Sequence, residues 1–317
     1  MSMTRLKLNY FIALISSSIT VFSVSAQTVS TPIVGFNKPS FPAGNSAHTA
    51  TFVKANVFQG AATSSTANSL TVSSATFGSL APAGGLPTHY VKITSGAMEG
   101  YVLDILSNTS TSVTVDGNLS TAGSTPSFVI RPHVKASDLF VGNTSLSPGS
   151  DTLTLFNDNG TSTVLLWAGI DSPTGWIDPI SEAIQDAVVY PGQGFLLTSQ
   201  SSGSFTSTGT VETSPVVVPL YSGAVNLVTR ANPSVDPKSL QSINLGQDMA
   251  VGTDTVEFLA TNGSLASAGV YLWAGTDGFI DALSEMPTSV TVGSSQVLNV
   301  TVIQPTTWKV SPPTINP

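Results

Sequence analysis

Two stretches of this chain match each other in order, and that constrains its fold more than any other feature. Asp151-Thr152-Leu153-Thr154-Leu155-Phe156 corresponds to Asp254-Thr255-Val256-Glu257-Phe258-Leu259. Asn159-Gly160 then corresponds to Asn262-Gly263, and Leu166-Trp167-Ala168-Gly169 to Leu272-Trp273-Ala274-Gly275. Gly175-Trp176-Ile177-Asp178 follows as Gly278-Phe279-Ile280-Asp281, and Ser181-Glu182 as Ser284-Glu285. Upstream, Phe128-Val129-Ile130-Arg131 matches Leu227-Val228-Thr229-Arg230, and downstream Val188–Leu197 parallels 290–300. Each copy places Asn-Gly between two apolar alternating runs. That is a strong hairpin signal, because both central residues of a type I′ turn need positive φ. The pattern predicts paired strands over 151–156 and 164–168, and again over 254–259 and 270–274. Trp167 and Trp273 fall within apolar strand runs and are expected in the core.

Upstream of the repeat, short alternating runs recur about every ten residues: His89–Ile93, 100–106 and Ser112–Val115, split by Gly, Asn and Ser. Such spacing predicts a small antiparallel barrel or sandwich. The chain therefore reads as all-β, a small N-terminal β-barrel or sandwich followed by two tandem related antiparallel β modules. The expected divisions are an export segment at 1–26, an N-terminal β domain at 27–125, repeats at 126–200 and 226–304, a linker at 201–225 and a tail at 305–317. Within the first repeat, Gly192-Gln193-Gly194 leads into a strand. It is read as a turn, since a nucleotide cradle opens a helix.

The first 26 residues have three parts. Arg5 and Lys7 form a positive start, Phe11 to Phe22 is apolar, and Val24-Ser25-Ala26 supplies small residues before Gln27. This is the pattern of a secretory signal peptide cleaved after Ala26. The apolar run is shorter than the roughly 20 residues that a bilayer span requires. No other stretch reaches that length, so no membrane span is expected in the mature protein. The expected localisation is periplasm, cell surface or outside the cell.

Composition excludes several function classes. There is no cysteine, which removes disulfides, thiolate catalysis and Cys-ligated metals. Charged residues make up 9% of the chain, against about 25% in an ordinary soluble domain. Of ten Lys and Arg, two lie in the export segment; eight remain against 18 Asp and Glu, a net charge of −10. Nucleic-acid binding rests on cations that neutralise phosphates, so no nucleic acid partner is expected.

Several of these residues, taken together, resemble an uncharacterised family of exported bacterial proteins. They are Thr31-Pro32-Ile33-Val34-Gly35-Phe36, the segments 90–96 and 104–109, the doubled hairpin with Trp176, and Pro191-Gly192-Gln193-Gly194-Phe195. The resemblance spans nearly all of the mature chain, rests on structural motifs, and implies no activity, ligand or cofactor. Family repeats often carry a basic residue after the loop Trp; here Ile177 and Ile280 stand there.

No motif commits the chain to a reaction. His48, His89 and His133 are far apart in sequence and lack metal-ligand spacing. No Gly-x-Ser-x-Gly elbow occurs. The acidic loops are the candidates with content: Asp171, Asp178 and Glu182 in the first repeat, and Asp277, Asp281 and Glu285 in the second. Such carboxylates would hold Ca²⁺, which takes oxygen ligands in flexible geometry; they would serve as an acid/base pair on a glycan; or they shape the turn by bonding to nearby backbone. Calcium apart, no cofactor is called for. Among Trp167, Trp176, Trp273, Phe279, Tyr190 and Tyr271, the pair Trp176 and Phe279 sits beside Gly and is expected in exposed loops as a sugar-stacking platform. The function expected is an exported structural or interaction protein of the cell envelope or extracellular matrix, with self-association or a glycan as partner. The alternatives are a glycan-binding module using Trp176 and Phe279, and a polysaccharide-active enzyme using the loop carboxylates.

Overall fold

A computed structural model describes residues 32–157, 160–170, 175–230, 237–260, 265–293 and 296–311. The export segment and the Asn159 and Asn262-Gly263 turns lie outside the described residues. The fold is all-β, with antiparallel pairing throughout. Among the described residues the one α-helix is the single turn Ala136–Leu139. Among the described residues no helix is long and apolar enough to cross a membrane.

Three larger sheets organise the chain. One has seven strands, in spatial order Phe58–Ala61, Ser127–Pro132, His89–Ile93, Val102–Asn108, Ser112–Val115, Ser69–Thr71 and Ser64–Ser65. A first five-stranded sheet runs Gly175–Ile177, Ser162–Gly169, Thr152–Phe156, Gly194–Ser199 and Gly44–Thr49. A second runs Phe279–Asp281, Ser267–Trp273, Thr255–Leu259, Leu298–Thr301 and Asn226–Val228. The two five-stranded sheets share one strand order. Each also carries the same accessory pair, Val134–Lys135 with Val188–Val189 and Lys238–Ser239 with Thr291–Val292.

The strands follow from alternation. In Thr152–Phe156, Leu153 and Leu155 are buried while Thr152 and Thr154 are only partly covered. They meet Leu165, Trp167, Phe195 and Leu197 in one core. Val256, Phe258, Phe279, Leu298 and Val300 form the counterpart core of the second sheet. The seven-stranded sheet encloses Leu70, Val91, Ile93, Ile105, Val113, Phe128 and Ile130.

Strand pairing redistributes the divisions expected along the chain. The edge strand of the first five-stranded sheet is Gly44–Thr49, which pairs with Gly194–Ser199 over six residues. Ser127–Pro132 pairs into the seven-stranded sheet, so its sequence match to 227–230 is not a match of position. The structural counterpart of Asn226–Val228 is Gly44–Thr49. All seven strands of the larger sheet thus lie within one connection of the first five-stranded unit, between Thr49 and Val134. Residues 201–225, expected as a linker, carry Ser207–Thr210, paired with Val34–Asn37, and Val216–Leu220, paired with Thr306–Val310. That last strand lies in the expected tail and buries Trp308 completely.

Glycines let these parts approach closely. Gly192 has φ +83°, and a Cβ there would stand 2.5 Å from Val218 Cγ2. Its carbonyl accepts the Thr229 N–H at 3.0 Å. The Gly192-Gln193-Gly194 turn is therefore one contact between the two five-stranded units, beside the apolar cluster in which Ala47 and Phe156 meet Leu227, Leu259 and Val297.

Candidate functional site

The acidic loops resolve into two turns of the same construction. In the first, Asp178 Oδ1 accepts the N–H of Ile180 at 3.0 Å, the N–H of Ser181 at 2.7 Å and the Ser181 hydroxyl at 3.0 Å. In the second, Asp281 Oδ1 accepts the N–H of Leu283 at 3.1 Å, the N–H of Ser284 at 2.8 Å and the Ser284 hydroxyl at 2.9 Å. The next residues, Glu182 and Glu285, take the left-handed conformation at φ 55° and 56° and donate their N–H to the Asp178 and Asp281 carbonyls. The donated bonds stabilise the ionised carboxylates. The Ser181 and Ile180 amides, then the Ser181 hydroxyl, hold Asp178 below the usual carboxylate range. The Ser284 amide and hydroxyl, then the Leu283 amide, do the same for Asp281.

These carboxylates are therefore occupied with turn construction. Asp178 and Glu182 belong to one turn, Asp281 and Glu285 to the other, and Asp277 lies exposed on a short 3-10 turn, Gly275–Asp277. Asp171 lies outside the described residues. Among the described residues no three His, Asp or Glu side chains gather closely enough to hold a metal ion.

What the turns present is apolar. Ile180 and Leu283, at matching positions, are 92% and 96% exposed. Ile184 and Met286 beside them are also exposed. After each tip the chain returns along its own edge strand, through the bridges Ile177↔Ile184 and Ile280↔Pro287. Those bridges cover sheet edges that would otherwise offer free pairing groups.

The pair expected in exposed loops is buried. Trp176 and Phe279 sit on strands Gly175–Ile177 and Phe279–Asp281 and are 2% and 1% exposed. Trp176 packs edge-on against Trp167 and Phe140, with ring centroids 5.1 and 5.3 Å apart. Phe279 packs on Trp273 at 4.9 Å. Their glycine neighbours Gly175 and Gly278 take positive φ, 89° and 75°, and the short strand after each carries the aromatic inward. Neither ring can stack on a sugar from that position.

Sequence reasoning missed a second arrangement, on the outer face of the seven-stranded sheet. Arg131, Tyr90 and Asp104 stand in one row across three strands, through the register pairs Arg131↔Tyr90 and Tyr90↔Asp104. Lys92 lies two residues along, on the same face. Glu212 reaches over from the segment between Ser207–Thr210 and Val216–Leu220. Its Oε1 lies 2.6 Å from Lys92 Nζ, and its Oε2 pairs with Arg131. Lys92 Nζ also donates to the Ser214 hydroxyl at 2.6 Å. Lys92, Arg131 and Glu212 are all buried. Burial pulls the Lys92 ammonium down to about 8 against the pull of Glu212. Burial pushes the Tyr90 phenol up to about 12. Such groups are costly to bury singly, so the cluster pins the seven-stranded sheet to the segment leading into the second five-stranded unit.

At the other end of the row, Asp104 receives two partners. His133 Nε2 lies 2.9 Å from Oδ1, and the Tyr190 hydroxyl donates to Oδ2 at 2.6 Å. His133 is 2% exposed and packed between the rings of Tyr90 and Tyr190, at 4.9 and 5.2 Å. Asp104 and Tyr190 also line a cleft of about 470 Å³ where the three sheets and their connections meet. Tyr190 was legible as a candidate aromatic. Asp104 and His133 carried no spacing signal, because strand register alone brings them together.

The other histidines pack on strands. His48 lies among Phe41, Phe195 and Phe205, and burial lowers it to about 4. His89 bonds through Nδ1 to the Thr88 hydroxyl at 2.9 Å. In a comparison with known proteins, no family model, curated protein or solved structure matches this chain.

Proposed function

We propose that this chain is an exported structural or interaction protein of the cell envelope or extracellular matrix that works by presenting rigid apolar tips to a partner. The observation that carries this reading is the paired turn. Single exposed apolar residues are ordinary on protein surfaces. A large aliphatic side chain set almost wholly in water at the same position of two like-ordered sheets, on turns locked by the same hydrogen bonds, is a recurrent design. Moving an Ile or Leu side chain from water into an apolar socket stabilises a complex by about 1.5–3 kcal/mol. A turn already locked gives up little further freedom on binding. The tips are rimmed by Asp178 and Glu182 in one turn and by Asp281 and Glu285 in the other, so the complementary socket is apolar with a cationic edge. The acidic excess of the mature chain disfavours a second copy as that partner, because like charges repel. The two five-stranded units are read as copies of one ancestral element, and residues 1–26 as the signal that takes the chain out of the cytoplasm.

The test uses the mature chain from Gln27 and its Ile180→Ser/Leu283→Ser variant in co-sedimentation with purified envelope and matrix fractions. Binding by the parent and its loss in an equally stable variant are expected. Equal binding by both removes the tips from the account. N-terminal sequencing of the protein recovered outside the cytoplasm checks export, with Gln27 as the expected first residue.

A further inference from the structure

The strand Val34–Asn37 forms a two-stranded ribbon with Ser207–Thr210, in the register Val34↔Thr210 and Phe36↔Thr208. The Val211 N–H donates to the Ile33 carbonyl at 2.8 Å. Antiparallel bonding alternates along a strand, so Ile33, Gly35 and Asn37 turn their backbone groups toward Ser207–Thr210, and Val34 and Phe36 turn theirs away. Among the described residues no hydrogen bond reaches the backbone of Val34 or Phe36. The far side of the ribbon is closed, because Thr210 exchanges two backbone bonds with Val53, at 2.7 and 3.0 Å. One face of the strand is closed too: a Cβ at Gly35 would collide with the ring of Phe52, which is buried. The other face presents Val34 and Phe36, 74% and 67% exposed. The edge beside each tip is covered by returning chain. This edge is open and apolar, the combination that pairs with a further strand.

We infer that this edge pairs antiparallel with the same edge of a second copy, about a two-fold axis through Gly35. In that register Val34 of each copy faces Phe36 of the other. Each such pair exchanges two backbone hydrogen bonds, because both residues point outward. The four exposed side chains then lie on one face as cross-strand neighbours, an aromatic with a β-branched residue, which is a stabilising pair. Pro32 stands across from Lys38 of the other copy and has no N–H to donate, so the ladder ends there. The charges also fit. Lys38 is the one charged residue in 32–41 and 201–211, and a proline, not another cation, stands opposite it. The mature chain carries a net charge of −10, so a second copy attracts this cationic ribbon while it repels the acid-rimmed tips. Pairing uses up the open edge of both ribbons, so the product is a closed dimer and not a fibre. Four residues a side bury far less than the roughly 1,200 Å² of a stable complex, so the dimer is weak and forms where the protein is concentrated. The inference is independent of the exposed tips, since it uses none of their residues.

The test is sedimentation equilibrium of the mature chain at concentrations up to about 1 mM. A reversible monomer–dimer equilibrium is expected, with a Kd of about 10 μM to 1 mM. Val34→Lys/Phe36→Lys sets cations opposite cations at two exposed positions, and should raise that Kd at least about tenfold at unchanged melting temperature. Ile180→Ser/Leu283→Ser should dimerise like the parent. The chain has no cysteine, so Val34→Cys and Phe36→Cys report the register without background. Mixed under oxidising conditions, the two variants should form a disulfide, since residues directly opposite stand about 5.5 Å apart at Cα. Either variant alone places its sulfurs on a diagonal of about 7–8 Å, too far to bridge. A monomer at 1 mM, unchanged dimerisation of the double-lysine variant, loss of the dimer in the tip variant, or a mixture that crosslinks no faster than either cysteine variant alone would each overturn the inference.

Discussion

Replacing Glu212 by Gln should be among the most damaging conservative changes in this protein. The Glu212 carboxylate meets Lys92 Nζ at 2.6 Å and pairs with Arg131, and it also accepts the Ser214 N–H at 3.2 Å and hydroxyl at 3.0 Å. The side chains of Lys92 and Arg131 are 0% and 6% exposed. At an effective dielectric constant of about 20, each contact is worth about 6 kcal/mol of Coulomb energy before desolvation is counted. Glutamine removes both attractions and leaves two cations with no water to take their place. Breaking a buried pair from one side typically costs about 3–5 kcal/mol. For a chain of this size that is a fall in Tm on the order of 5–10 °C. Urea unfolding followed by tryptophan fluorescence measures it, with Asp178→Asn on the exposed turn as the control. The triple variant Lys92→Met/Arg131→Leu/Glu212→Leu should recover much of the loss, because apolar replacement of a whole buried cluster is often neutral. A loss below about 1 kcal/mol for Glu212→Gln would refute the reasoning, since only a hydrated cluster tolerates that change. A triple variant no better than the single one would show that the damage lies in packing and not in stranded charge.

Three further outcomes follow from the same structure. His48 stays neutral in the folded protein down to about pH 4, while in the unfolded chain it protonates at its ordinary value of 6.5; stability should therefore fall as pH drops from 6.5 to 4, and His48→Leu should lose that dependence in acid titration of unfolding. Gly192→Ala places a Cβ 2.5 Å from Val218 Cγ2 at φ +83°, whereas Gly175→Ala, at φ +89°, meets nothing within 4 Å; chemical denaturation should show about 1 kcal/mol lost for Gly175→Ala and clearly more for Gly192→Ala. Trp176→Ala opens a void among Phe140, Trp167 and their neighbours and should cost about 3–5 kcal/mol in the same assay, whereas an exposed ring would lose far less.

The sequence alone carried the class of the fold and the hairpins. Alternation at period two is local: Leu153 and Leu155 face inward because Thr152 and Thr154 separate them, whatever they pack against. The turn role of Asp178 and Asp281 was legible for the same reason, since the donors they bind lie two and three residues ahead. The exposure of Trp176 and Phe279 was not legible. A glycine beside an aromatic marks a bend, and whether the next side chain points to water or to the core depends on the sheet that the following strand joins. Pairing partners were equally hidden. Nothing near Gly44–Thr49 announces that it completes a sheet with Gly194–Ser199, or that the seven-stranded sheet sits inside one connection of its neighbour. Such contacts are chosen by the total area buried once the chain has closed on itself. The junction was decided last of all. Lys92 and Glu212, 120 residues apart, look like ordinary solvated charges until the packing of three sheets removes the water between them.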